Sequence, residues 1–597
     1  MMIKERLAKL RELMKREGYT AYVIPTNDFH LSEYTGDYFK ERKFMSGFTG
    51  SAGTLVVTED EAGLWTDGRY YIQAERQLEG STITLFKQGM KDVPLPEEYL
   101  AKKMGEGDVV GFDGRVIPAK WGMDLETCLE KKGAKLCGTK NLIDEIWTDR
   151  PAMPKDKLFI LEEKYAGETM AQKVLRVREK MAEAGVGVHI LTSLDDIAWL
   201  YNLRGSDIAN TPVFMAYTMI SSESVLLFID SDKLTAETRN YLKENHVEVM
   251  PYNAIYEWLT WVDKDETVLL DLNKVNYAIV KGLLAKIENQ PNPTTLFKAV
   301  KNDTEIKNLF TAHIKDGVAV TKFMYWLKTN IGKTEITEIS ASDYLENCRR
   351  AQGCIDLSFP TISAYNANAA MMHYSATPES NAVLKPEGLL LVDSGGQYLE
   401  GTTDITRTFA LGPVTEEEKK HYTMVLMSML RLGHVKFLQG CSGLSLDYVA
   451  REVFWKHGLD YNHGTGHGIG YLLNVHERPA GIRFRVVPER QDSYPFMDGM
   501  VCSDEPGLYI EGSHGIRTEN QMFCKKAEKN EYGQFLCFEF LTYVPIDVEP
   551  LDTKLMTDED VVFLNEYHAQ VYEKISPYLN DEEKEWLRQA TQPVKKA

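Results

Sequence analysis

The chain has 597 residues, 43% hydrophobic and 26% charged. That is ample apolar material for several cores and, at ~150 residues per domain, predicts three or four domains. With 68 basic and 88 acidic residues the net charge is −20, and no Lys/Arg block offers a basic face, so nucleic acid is not an expected partner. No apolar run approaches the ~18 residues of a membrane span, and no apolar stretch of a signal peptide follows Met1-Met2-Ile3-Lys4-Glu5. Eight cysteines (Cys128, Cys137, Cys348, Cys354, Cys441, Cys502, Cys524, Cys537) lie scattered with no Cys-x-x-Cys pair. The expectation is a cytoplasmic protein with reduced thiols and no membrane contact.

In chain order, an amphipathic helix is predicted over Ile3–Glu17, followed by an apolar strand Ala21–Pro25 and further strands such as Gly53–Val57. Paired prolines in Asp149-Arg150-Pro151-Ala152-Met153-Pro154 mark a linker. The pattern then repeats, with a helix over Thr169–Ala184 and strands at Gly187–Leu191 and Ser224–Phe228. This predicts a duplicated α/β unit. A second break, Gln290-Pro291-Asn292-Pro293, precedes a strong helix whose Asn302 and Glu305 have capping-box spacing. The expected domains are 1–153, 154–298 and 299–597, and the expected class is α/β (α+β).

The chemistry is concentrated after Pro360. The run Gly388-Leu389-Leu390-Leu391-Val392-Asp393-Ser394-Gly395-Gly396 reads as a buried strand that delivers Asp393 at its tip. The chain returns through Gly401-Thr402-Thr403-Asp404-Ile405-Thr406-Arg407-Thr408, and a hairpin between the two runs would bring Asp404 beside Asp393. Two carboxylates held together in an apolar setting need a proton or a bridging cation. Alone, this pair is equally well read as a turn cap and an exposed acid. Asn462-His463-Gly464-Thr465-Gly466-His467-Gly468-Ile469-Gly470 follows, within a stretch that holds four of the thirteen histidines (His457, His463, His467, His476). Its alternate glycines would let backbone pass close to something bulky, and its spacing does not fit a phosphate loop. An apolar stretch ends on acid again in Val501-Cys502-Ser503-Asp504-Glu505-Pro506-Gly507. In Gly515-Ile516-Arg517-Thr518-Glu519, a strand would put Arg517 and Glu519 on one face. Asp393, Asp404, His467, Glu505 and Glu519 together offer four carboxylates and one imidazole. Two divalent cations would balance that charge; oxygen-rich ligation suits Mn(II) and tolerates Co(II) or Zn(II).

These runs closely resemble the pita-bread metallopeptidases of family M24, and within them the three-domain aminopeptidase P (Xaa-Pro aminopeptidase) group. The resemblance extends to Phe48-Thr49-Gly50-Ser51-Ala52-Gly53, Trp65-Thr66-Asp67-Gly68-Arg69-Tyr70-Tyr71 and the C-terminal Leu564-Asn565-Glu566-Tyr567-His568. It implies two creatinase-like N-terminal α/β domains followed by a pita-bread catalytic domain that removes the first residue from peptides with proline second. It further implies that Asp393 binds one ion, Asp404 and Glu519 bridge two, and His467 and Glu505 complete the other shell. Glu505 would move the proton, and His373, His463 and His476 would border or hold the peptide. Tyr509 and Arg517 would form a relay to Asp393, Arg69 would meet longer substrates, and the chain would be a homodimer. Two departures stand out: Asn366 and Asn368 lie where relatives have a glycine-rich turn, and Arg478 lies where Gly is usual. Rival readings are a prolidase restricted to Xaa-Pro dipeptides, creatinase-like C–N hydrolysis, and a catalytically dead binding module.

Overall fold

The computed structural model describes residues 2–372, 374–487 and 490–597. The chain forms two compact units, residues 1–160 with 169–294, and residues 161–168 with 295–597. Among the described residues, no helix is long and apolar enough to cross a membrane.

The first unit is built twice to one plan. Its first sheet runs, in spatial order, Thr84–Lys87, Ala62–Thr66, Thr54–Thr58, Ala21–Pro25, Val109–Gly111, Lys135–Cys137. Its second runs Glu248–Met250, Val225–Ile229, Ala216–Ser221, Val188–Leu191, Thr267–Leu270, Lys286–Asn289. Numbered along the chain, both read 4-3-2-1-5-6, with the two central hairpin pairings antiparallel and the other three pairings parallel. The duplication expected from the sequence is thus a duplication of topology.

Each half opens on the predicted helix. Ile3–Glu17 buries Leu7, Leu10, Leu13 and Met14, a stripe at helical spacing, and stops where Gly18 takes the left-handed conformation (φ 75°). Met170–Glu183 is started by Thr169, whose hydroxyl accepts the Gln172 amide while the Gln172 side chain turns back to the Thr169 amide.

His30 joins the two halves. Its Nδ1 meets the Thr192 carbonyl at 2.8 Å, so that nitrogen carries the proton, and its Nε2 accepts from the Tyr252 hydroxyl at 2.6 Å. Close by, the Asn276 side chain donates to the Phe29 carbonyl at 2.8 Å.

The second unit opens on the long helix Asp303–Asn330, capped reciprocally by Asn302 and Glu305 as their spacing predicts. A six-stranded sheet runs Lys436–Leu438, Gly533–Phe540, Asn520–Asn530, Val501–Asp504, Gly466–Gly468, Glu477–Ile482. A three-stranded sheet has Leu389–Ser394 between Ile362–Tyr365 and Ile405–Ala410. Helices Glu416–Gly433 and Asp558–Ile575 contribute Tyr422, Val425, Met429, Leu564, Tyr567 and Val571 to the main core.

Arg407, fully buried, ties the two sheets to the C-terminal segment. It donates to the Glu519 carbonyl (2.6 Å), the Asn520 side chain (2.8 Å), the Val544 carbonyl (3.0 Å) and the Tyr567 hydroxyl (2.9 Å). The Asn366 turn survives without glycine because Asn366 itself adopts φ 48°, and its side chain accepts the Leu389 amide at 2.9 Å.

The two glycines that flank His467 approach backbone, whereas Gly464 packs against the Arg483 side chain. A Cβ on Gly466 would fall 2.1 Å from the Ser503 carbonyl oxygen, and one on Gly468 would fall 2.2 Å from that of Glu477.

Two outcomes follow. Gly466→Ala must push Gly466–Gly468 off Val501–Asp504, so its thermal midpoint should fall, by about 2–4 °C per kcal/mol lost for a domain of roughly 150–250 residues and by less for the larger unit here; an unchanged midpoint in scanning calorimetry would show that the strands can separate freely. Burial holds the His30 imidazole down at about 4, against the pull of Asp28. The unfolded chain therefore binds more protons between pH 6.5 and about 4, and the His30 contribution is complete above 6.5 and lost as pH falls through that window. Its full size is on the order of 3 kcal/mol. His30→Gln, which does not titrate, should show a flatter dependence of the unfolding midpoint over pH 7 to 4.

Candidate metal centre

The register of the three-stranded sheet sets the centre. Asp393 pairs with Thr406 and Ser394 with Ile405, so Asp404, one residue before its strand, stands beside the strand that ends in Asp393 and Ser394. Glu519 is brought in by its amide, which donates to the Thr406 carbonyl at 3.0 Å, and by its carboxylate, which accepts the Thr406 hydroxyl at 2.7 Å. His467 and Glu505 come from adjacent strands of the six-stranded sheet. The Ser503 hydroxyl accepts the His467 amide at 3.0 Å and reaches Glu505 Oε1 at 3.4 Å. The Glu505 amide donates to the Thr465 carbonyl at 2.8 Å.

All five residues converge. His467 Nε2 lies 3.4 Å from Asp404 Oδ2 and 3.6 Å from Glu505 Oε1. One ligand atom each from Asp404, His467 and Glu519 fall within 4.8 Å of one another. His467 Nδ1 is committed to the Gly468 carbonyl at 3.0 Å, so this nitrogen carries a hydrogen and Nε2 is the atom turned to the carboxylates, where a cation would take the place of its proton.

The electrostatics of this cluster call for positive charge. Asp393 Oδ1 and Glu519 Oε1 are buried with no hydrogen-bond partner. Burial first, then the neighbouring carboxylates, holds the Glu519 carboxyl well above its ordinary range. Asp393 and Glu505 are likewise raised by burial, although Arg517 opposes this at both, and His467 opposes it at Glu505. Burial disfavours charge on His467 too, yet the Asp404 carboxylate beside it and Glu505 push that imidazole up to about 9. A donor set of carboxylate oxygens and one imidazole, with orphaned buried oxygens, fits divalent cations.

Arg517 organises one wall. It donates to Asp393 Oδ2 at 2.5 Å, to the Tyr509 hydroxyl at 2.6 Å and to the Thr406 hydroxyl at 3.2 Å. Burial pushes the Tyr509 phenol up to about 12, so it keeps its proton. Because His463 Nδ1 donates to the Gly464 carbonyl (2.7 Å), its Nε2 accepts from Tyr509 (2.9 Å). The order is therefore Asp393, Arg517, Tyr509, His463, each held by the next. His476 stands edge-on to His467 with ring centroids 4.4 Å apart. Next to it, Glu477 forms a buried ion pair with Lys301. The Arg478 guanidinium reaches Gln491 at 3.5 Å.

His373 lies outside the described residues. Arg69 belongs to the first unit, in the turn after Ala62–Thr66, where its fork closes on Asp67 with two 2.8 Å bonds. Sequence reasoning missed Thr406 and Ser503, the hydroxyls that fix Glu519, Arg517, His467 and Glu505. Their signal was positional, since each lies within two residues of a candidate ligand, but Ser and Thr at strand ends are too common to single out.

The model of metallopeptidase family M24 matches residues 307–526, and that of the C-terminal region of peptidase M24 matches 534–594. Two models of the creatinase/prolidase N-terminal domain match residues 6–146 and 149–305. The chain is 40% identical over 615 residues to a probable Xaa-Pro aminopeptidase P of Laccaria bicolor, covering 99% of this chain and 93% of that one. It is 38% identical over 637 residues to aminopeptidase P2 of Arabidopsis thaliana, covering 100% and 89%. Among solved structures, the X-prolyl aminopeptidase of Caenorhabditis elegans, a cytosolic enzyme with a di-nuclear active site, superposes with a TM-score of 0.94 at 34% identity, over 100% of both chains. With relatives this similar along its whole length, the chain belongs to metallopeptidase family M24, alongside the Xaa-Pro aminopeptidase P proteins.

Proposed function

We infer that this metallopeptidase removes the N-terminal residue from peptides whose second residue is proline. The observation that carries the reading is the convergence of Asp393, Asp404, His467, Glu505 and Glu519, with buried carboxylate oxygens left for cations. The full-length likeness to aminopeptidase P proteins supports the substrate class. Two divalent ions held by these five residues would supply a water of lowered pKa and polarise the scissile carbonyl. The donor set favours Mn(II), with Co(II) or Zn(II) as alternatives.

The remaining work falls to side chains. A prolyl nitrogen has no hydrogen, so the leaving amine must gain one. Glu505, at the edge of the cluster and held through its amide, is the carrier we assign from the attacking water to that nitrogen. His476, edge-on to His467, and His463, tied to Tyr509, are assigned on sequence resemblance to hold the peptide around its scissile carbonyl. The Arg517–Tyr509 chain keeps His463 in one tautomer, with Nδ1 protonated. His373 is assigned to the substrate border, and Arg69 to longer peptides, on sequence resemblance alone.

We assign domains 1–153, 154–298 and 299–597, and a cytoplasmic setting consistent with eight unpaired cysteines. We also assign a homodimer. Its support within this chain is an exposed apolar face on helix Gly443–Trp455, formed by Leu444, Tyr448 and Trp455 and extended by Phe484, whose ring lies edge-on to that of Trp455.

The deciding measurement is release of the first residue from Arg-Pro-Pro, Arg-Ala-Pro and the dipeptide Arg-Pro, with Mn(II) and with chelator. Metal-dependent cleavage of Arg-Pro-Pro, with Arg-Ala-Pro spared, is expected; cleavage of Arg-Pro alone would make the protein a prolidase. Glu505→Gln should lower kcat by roughly two to four orders of magnitude, the range for loss of a general acid–base group. Near-normal turnover with two ions bound would remove Glu505 from its role. Sedimentation velocity should give a dimer mass, and Tyr448→Glu should shift it toward monomer.

A further inference from the structure

The loop that carries His463 is gripped from behind by an ion pair outside the metal centre. Helix Gly443–Trp455 places Asp447 and Arg451 one turn apart, with neither side chain exposed. The Arg451 guanidinium lies between the rings of Tyr461 and Phe484, 3.9 and 4.6 Å from their centroids. Its Nε donates to Asp447 at 2.6 Å. One terminal nitrogen donates to the Asp460 carboxylate at 2.5 Å and the Tyr461 carbonyl at 2.7 Å, and the other donates to the His463 carbonyl at 2.7 Å. The second Asp447 oxygen accepts the Thr465 hydroxyl at 2.6 Å. Thr465 is the residue whose carbonyl receives the Glu505 amide, and whose own amide donates to the Ile482 carbonyl at 2.8 Å.

Buried ion pairs can often be replaced by apolar residues at no loss of stability. This pair instead spends its hydrogen bonds on alternate residues of one loop, at 461, 463 and 465. A lysine could not do the same, having a single point charge in place of a planar fork. We propose that Asp447 and Arg451 are positioning residues for the reaction: they fix the backbone of His463 directly and that of Glu505 through Thr465, and neither touches substrate. The proposal rests on the aminopeptidase reading above.

The test uses full-length wild type, Arg451→Lys and Thr465→Val, each with two readouts. In hydrogen–deuterium exchange of the metal-free protein, both variants should exchange faster in residues 460–468 and 503–507, with helix Asp303–Asn330 and strand Ile405–Ala410 unchanged. In kinetics on Arg-Pro-Pro with Mn(II), Arg451→Lys should lower kcat about tenfold or more and leave KM within about twofold; placed on His463→Ala, it should cost less than about twofold, because interacting residues are non-additive. Unchanged exchange in those two segments, or the same fold-loss in both backgrounds, would overturn the proposal. If Arg451→Lys does not fold, Thr465→Val, which keeps the ion pair and removes one hydroxyl, carries both measurements. If wild type does not cleave Arg-Pro-Pro, the functional reading fails, and exchange alone decides whether the pair positions the loop.

Discussion

Four carboxylates held out of water repel one another, and the catalytic unit is arranged around that repulsion. Asp393, Asp404, Glu505 and Glu519 come from separate strand ends, so no local feature of the chain holds them together. The grip is supplied from outside the cluster. Arg517 answers one oxygen of Asp393, Thr406 answers one of Glu519, and Arg407 draws the Glu519 backbone and the neighbouring Asn520 onto the strand that carries Thr406. Each contact leaves a carboxylate oxygen free. A site that satisfied every oxygen with protein donors would be more stable and would hold no metal.

The parts legible in the sequence share a feature: each announces itself locally. Apolar runs ending in Asp393 or Asp504-Glu505 disclose strand tips, and Asn302 with Glu305 discloses a helix start; Arg517 and Glu519, expected on one strand, instead lie on either side of a break between His514–Arg517 and Asn520–Asn530. The helix–strand alternation of residues 1–290 showed a repeat, and the structure shows that it extends to strand order and pairing sense. What stayed hidden depends on contacts remote in sequence. Arg407 reads as one more residue of a strand until Val544 and Tyr567 close on it, more than 130 residues later. The glycines flanking His467 suggested room for something bulky, whereas the approaching atoms are the carbonyls of Ser503 and Glu477. Periodicity can say that a backbone must pass closely, but not what it passes. Arg69, assigned from resemblance to substrate, has its fork on Asp67 two residues away, a local pairing that an Asp-x-Arg spacing could have suggested.

Histidines illustrate how far residue type alone can mislead. Among those described, His467 is the one that faces the carboxylates and is drawn toward positive charge. His30, His189, His313 and His568 are buried, and burial holds each below its ordinary value. They serve as neutral struts, each with one ring nitrogen on a backbone carbonyl or amide, while the other meets Tyr252 in His30, Gln521 in His313 and no partner among the described residues in His189 and His568. Main chain takes one ring nitrogen in His467 as well as in these struts; what sets His467 apart is that its second nitrogen faces carboxylates.

The Tyr567 hydroxyl, on a helix near the C-terminus, has a consequence for how this polypeptide is made. It holds Arg407, and Arg407 holds the backbone of Glu519. During synthesis each of the four clustered acids leaves the ribosome before Tyr567 does, so the nascent chain carries them without the strut that ties Arg407 to the Glu519 backbone. A chain that stopped short of Tyr567 would retain its acids but lack one of the contacts that hold Arg407, and through it Glu519, in place.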